Sequence, residues 1–274
     1  MVSVVAPRHA AGSVRYTQAM KTPTCPTRRA VARALLLTGI LTLSSAAHAG
    51  EFRVTPIRVD LAAGGKGSAV ISVINEGQES ISFQIQARAW TQDAAGKDVY
   101  ADTTDLIFFP QLMTAKGGET KVVRVGTKAP APPLEKSYRL FIEEIPRREE
   151  AKGAVVRVAF RFGVPVFRLP VLEKREGSIE DARVEKGTLS LQLRNTGTVH
   201  LKFDELEVVG KDAAGTEVFR EKPASWYVLT GSSRLHTLPI PAEICARIGT
   251  LRVSTRSEEV ILQKELTAGE GWCP

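Results

Sequence analysis

Side chains able to carry chemistry are scarce in this sequence. Past residue 49 the chain keeps two histidines (His200 and His236), one methionine (Met113) and two cysteines (Cys245 and Cys273). The histidines fall in separate strand-like contexts without a ligand cluster, which argues against a catalytic or metal role. A single methionine leaves no methionine-based copper site. There is no G-x-S-x-G, no phosphate-cradling glycine-rich loop ahead of a helix, and no Cys–His pairing. Glu143 and Glu144 are adjacent, and adjacent strand residues point to opposite faces, so they cannot share a proton. No segment has a convincing helical period. Together these absences read against an enzyme and against any cofactor.

Acidic residues are missing from residues 1–49 altogether. That segment holds Arg8, Arg15, Lys21, Arg28, Arg29 and Arg33 of the chain's 37 basic residues, which leaves 31 against 30 acids in the remainder. The formal charge of +7 therefore shrinks to about +1 past residue 49, so the basic character does not mark a nucleic-acid site. Residues 28–49, RRAVARALLLTGILTLSSAAHA, have a basic start, an apolar run at Leu35–Leu43 and the small-residue ending Ala47-His48-Ala49. That is the pattern of a secretory signal peptide. Its apolar run is too short for a comfortable membrane span, so no stable membrane insertion is expected. MKTPTCPTRRA is a normal beginning for such a signal, which makes Met20 the expected start. In an exported chain Cys245 and Cys273 suit a disulfide, with each other or with another chain, and a free thiol pair is the alternative.

What remains reads as strands. IRVDL alternates Ile57, Val59 and Leu61. SAVISVINEG runs into an Asn-x-Gly turn, and SISFQIQARAW puts Ile81, Phe83, Ile85, Ala87 and Ala89 on one face. LIFFP, TKVVRV and YRLFIEEIP follow, the last two separated by the proline-rich APAPP. Many short strands between turn signals indicate an all-β sandwich. After Pro170 the charged VLEKREGSIED marks a boundary, and GTLSLQLRNTGTVHLKF then echoes SAVISVINEGQESISF. Two sandwiches of one kind are expected, over residues 50–170 and 171–274, each of a size one such fold needs.

The segment AVVRVAFRFGVPVFRLP, residues 154–170, is longer than an average strand and ends in prolines. Val156, Val158, Phe160 and Phe162 alternate along one face. Such an apolar edge is an aggregation hazard unless a partner covers it, and strand addition is the recognition mode that uses one. The bland alternative is that the row faces the sandwich core.

VTPIRVDL, ISVINEG, Pro110, the turn Lys116-Gly117-Gly118-Glu119, VVRV at Val122–Val125, YRLFIEEIP and the long strand, in that order, make the chain resemble the periplasmic pilus chaperones, the PapD-like family. The resemblance spans residues 51–274. It implies two immunoglobulin-like sandwiches set at an angle, and a donor strand of Val156, Val158, Phe160 and Phe162 lent to an incomplete pilus subunit. It further implies periplasmic location, pilin clients, an outer-membrane usher, no nucleotide and no nucleic acid. Arg58 matches the arginine that anchors the client's terminal carboxylate. The family's second cation falls at Pro165, which has none, and leaves Arg139 and Arg161 as substitutes. Proline at that place resembles the divergent archaic, spore-coat-U-like branch. A homodimer capping the exposed edge is a further expectation. The competing reading is a surface adhesin or structural pilus subunit, with the apolar row in its core and no need for Arg58.

Overall fold

The computed structural model describes residues 52–64, 67–146 and 158–274. The expected signal segment and Val156 lie outside the described residues. Ten strands build the first half: β1 (Phe52–Thr55), β2 (Val59–Leu61), β3 (Ser68–Asn75), β4 (Ile81–Gln92), β5 (Asp98–Asp102), β6 (Ile107–Phe109), β7 (Leu112–Ala115), β8 (Thr120–Gly126), β9 (Lys136–Ile145) and β10 (Arg161–Arg168). They form one sheet in the order β1-β3-β8-β6 and a second in the order β2-β10-β9-β4-β5, with β7 also on β4. The expected alternation sets the layers. Ile71 and Val73 of β3 and Val123 and Val125 of β8 are buried against Phe83, Ile85, Leu140 and Ile142 of the facing sheet. Each such side chain contributes about 1.5–3 kcal/mol on burial.

The chain changes sheets at Pro56. β1 pairs with β3, and β2 pairs in parallel with β10. Proline offers no backbone donor to continue the first ladder. Arg58 therefore stands in the connection between β1 and β2 rather than inside a strand.

The second half comprises β11 (Gly177–Glu185), β12 (Thr188–Asn195), β13 (Leu201–Lys202), β14 (Leu206–Lys211), β15 (Glu217–Glu221), β16 (Tyr227–Val228), β17 (Ser233–Pro239), the one-turn helix α1 (Ala242–Cys245), β18 (Thr250–Arg256) and β19 (Ile261–Thr267). β11-β12-β17 pack against β15-β14-β18-β19, and β13 pairs with β16. Leu189, Leu191, Leu193, Leu201, Phe203, Val208, Leu251 and Val253 fill this core. The turn of helix is too short to register as a period in the sequence. It places Cys245 against the C-terminal tail. Cys245 and Cys273 are joined to each other, with Cα atoms 5.8 Å apart. Closing a 28-residue separation contributes about 3–4 kcal/mol in the chain-entropy picture.

The echo between the halves is structural. Asn75 and Asn195 each end a strand, and both are buried. Each accepts from the glycine two residues on and donates its amide to two carbonyls, Glu79 and Ala115 in one case, Val199 and Val228 in the other. A buried amide so satisfied fixes the corner it sits in.

Trp90, Phe167, Leu169, Val199, Tyr227 and Leu229 make a third apolar cluster joining the two halves. Beside it, Glu135 Oε2 and His200 Nδ1 are 2.8 Å apart and buried, and His200 stacks on Phe167 with ring centres 3.7 Å apart. The Gln92 amide donates to Tyr227 O at 2.8 Å and accepts from Leu229 N at 2.9 Å.

Candidate functional site

β10 is where the long strand of the sequence lies. It pairs antiparallel with β9 from Arg161↔Glu143 to Arg168↔Lys136, and Glu144 N continues the ladder to Phe160 O. On its other side β2 covers only Val166–Arg168. Among the described residues, positions 161–165 thus have no strand along that second edge. The apolar face divides at the rim of the sandwich. Val164 and Val166 are fully buried, whereas Phe162 is 42%, Phe160 37% and Val158 67% exposed. Core and exposed row are one continuous alternation, and only its C-terminal end is plain core.

The opposite face carries a cation. Arg139 stands directly across from Pro165. Its side chain lies over Gly163 and donates from Nη1 to Gly163 O at 3.0 Å. A side chain there would be crowded, because a Cβ would come 3.0 Å from the Phe141 ring and 3.9 Å from Arg139 Cδ. The guanidinium rests 3.9 Å above the Trp90 ring, with Trp226 and Tyr227 at 5.6 and 5.9 Å. Arg139 is only 6% exposed, its Nε has no partner, and no carboxylate among the described residues pairs with it. Aromatic faces offset part of the cost of burying this charge, and an incoming carboxylate would offset the rest.

Arg58 approaches the same region. Its Nη2 is 3.0 Å from Asp60 Oδ2 and its Nη1 3.3 Å from Glu258 Oε1, with about a third of the side chain exposed. Partial burial opposes the charged form, but Asp60 and Glu258 outweigh it and hold the guanidinium above its ordinary pKa. Both arginines act on one phenol: burial pushes the Tyr227 pKa up, while Lys202, Arg58 and Arg139 pull it down. The structure therefore brings Arg58 and Arg139 around Tyr227, at the junction of the halves. Arg161 is not drawn in. It pairs with Glu143 at 3.5 Å and lies 3.8 Å over the Phe141 ring.

Sequence reasoning missed Trp90, Tyr227 and Glu258. Only Gly163 and Pro165 left a trace, as two interruptions of a β-branched and aromatic run. Among the described residues no cluster of potential metal ligands occurs, and no helix is long and apolar enough to cross a membrane.

Paired sandwiches with an extended strand rising from the first define a chaperone-like immunoglobulin architecture, and the comparisons agree. Residues 51–172 match the family of pili and flagellar-assembly chaperones, PapD N-terminal domain. Over those residues the chain is PapD-like. Among solved structures it is similar to the Csu chaperone–tip adhesion subunit pre-assembly complex of the archaic chaperone-usher pili of Acinetobacter baumannii. That match has 20% identity and a TM-score of 0.55, and covers 78% of this chain and 98% of the other. The class 5 fimbriae chaperone CfaA gives 15% identity and a TM-score of 0.51, over 80% and 100% of the chains. The SafA pilin–SafB chaperone complex of Salmonella enterica gives 16% and 0.52, over 81% and 99%. No curated protein matches the chain in sequence.

Proposed function

We propose that the protein is a non-enzymatic periplasmic chaperone. It completes the fold of pilus subunits with its own strand and passes them to an outer-membrane usher. The observation that carries this reading is the division of one apolar row at Val164. Buried residues anchor the strand in the first sandwich, and Phe162, Phe160 and Val158 extend it, exposed in part, along an edge that no described strand covers. Backbone groups on that edge supply affinity and alternate side chains supply fit. The family match over residues 51–172 supports the chaperone role, and the similar structures solved with pilus subunits support a pilin client.

In this reading residues 1–49 are the export signal, with Met20 as start, and Pro170 closes the first domain. Arg58 and Arg139 hold the client's terminal carboxylate, with Arg139 supplying from β9 the cation that Pro165 cannot. A homodimer covers the edge when no client is bound. The adhesin alternative requires a core-facing row, which an exposed Val158 does not provide.

The test is co-expression with small exported pilins, comparing wild type, Arg58→Ala and Val158→Asp. Retention of a soluble one-to-one complex by wild type alone, with both variants folded, supports the proposal. Equal behaviour of all three overturns it.

A further inference from the structure

The guanidinium of Arg58 is already shared with carboxylates of its own chain. Bidentate capture of a carboxylate uses two parallel N–H donors of the guanidinium, and here both terminal nitrogens are engaged: Nη2 by Asp60 and Nη1 by Glu258. The two partners differ in origin. Asp60 is two residues along the chain, within β2, where the parallel ladder to Phe167 fixes its backbone. Glu258 comes from the other half, 200 residues away, at the turn between β18 and β19 that Ser257 N closes onto Val260 O. Its side chain is 63% exposed and its contact is the longer of the two.

We propose that Glu258 is an internal stand-in for the client's terminal carboxylate: it occupies Arg58 in the unloaded protein and gives way when a client enters. The inference rests on the reading of Arg58 as carboxylate anchor. A carboxylate in this place keeps the cleft from recruiting stray anions, and it leaves at little cost. It is mostly hydrated, so its release requires little change in solvation, and exposed ion pairs hold only weakly. Asp60 remains, preserving the orientation of the guanidinium while Nη1 is handed over. The exchange replaces one carboxylate by another at Nη1.

The experiment uses the full mature chain and a fluorescein-labelled synthetic peptide of alternating valine and threonine. The peptide is made with a free C-terminal carboxylate and, separately, as its amide. Anisotropy titrations compare wild type, Glu258→Gln, Arg58→Ala and the double variant. Glu259→Gln is the control for net charge, since Glu259 pairs with Arg175 instead. Glu258→Gln is expected to bind the acid peptide about 2–5-fold more tightly, the range of an exposed ion pair. It should leave the amide unchanged and have no effect in the Arg58→Ala background. If Arg58→Ala weakens the acid peptide while Glu258→Gln matches wild type or Glu259→Gln, the stand-in is overturned and the anchor survives. If Arg58→Ala binds acid and amide as wild type does, or no variant binds the acid peptide, both fall.

Discussion

Arg139 and Pro165 face each other across the β9–β10 ladder, and the arginine side chain lies over Gly163 to bond that residue's carbonyl oxygen. β9 thereby sets a cation at the level of Pro165. Three features coincide there: a cation on β9, no side chain on Gly163, and an aromatic bed beneath the guanidinium.

Removing that cation should affect binding more than folding. Arg139→Met, which keeps the apolar stem, is expected to abolish capture of a pilin in pull-down while lowering stability by about 2 kcal/mol or less, the scale of a desolvated cation–π contact. Arg139→Lys should rescue poorly, because an ammonium cannot reproduce the planar stack and fork. Full client capture by Arg139→Met would remove it from the site.

The glycine should be intolerant of growth. In Gly163→Val, the added carbon meets the Phe141 ring at 3.0 Å, and the branches beyond it displace Arg139 from Trp90. A fall of about 1–3 kcal/mol in urea unfolding is expected, the scale of overpacking, together with loss of the client. Wild-type stability would mean that the crossing is loosely held.

The apolar row should separate into two kinds of position. Val164→Ala removes buried methyls and is expected to cost about 1–2 kcal/mol in thermal or urea unfolding. Phe162→Ser and Val158→Asp should stay within about 0.5 kcal/mol of wild type, as surface changes do, yet lose the pilin. A large stability loss in Val158→Asp would return that residue to the core.

Acid should weaken the fold through His236. Burial, aided by Arg234, lowers its pKa to about 4, against an ordinary 6.5. Its ring lies 3.4 Å from Ser225 Oγ, with no carboxylate paired to it among the described residues. The unfolded chain therefore binds a proton that the folded chain refuses between pH 6.5 and 4, and stability falls as pH drops through that window. After allowance for the ring's partial exposure, about 1 kcal/mol should be lost between about pH 7 and pH 5 in urea titrations. His236→Gln should remove that part of the slope.

Much of the fold could be read from alternation. Ile71, Val73, Leu191 and Leu193 announced buried faces because strand periodicity is a local property, and Asn75 and Asn195 announced matching corners because an Asn-x-Gly turn is written in three residues. The alternation of the long row was legible for the same reason, but its exposure was not, since a core-facing row has the same period. The site was not. Arg58 and Arg139 stood out only through resemblance, since nothing local says that an arginine in a connection and another in a central strand share a phenol. Trp90 and Tyr227, far apart in the chain, looked like ordinary strand aromatics until packing made them the floor of a cation site. Glu258 gave no signal at all: a charged turn residue acquires meaning only from what the opposite half places beside it.

The Gln92 side chain, with its amide nitrogen on Tyr227 O and its oxygen accepting from Leu229 N, acts as a surrogate peptide unit. It adds a rung to the backbone bond from Glu135 N to Thr198 O that also joins the halves. A rung has polarity as well as position, since donor and acceptor cannot be exchanged. The second half is thus keyed to the first in orientation, and Tyr227 is held by its backbone as well as by its ring, which packs on Trp90 and Phe167. Gln92→Glu, nearly identical in shape, would set a carboxylate against the Tyr227 carbonyl and turn the key the wrong way.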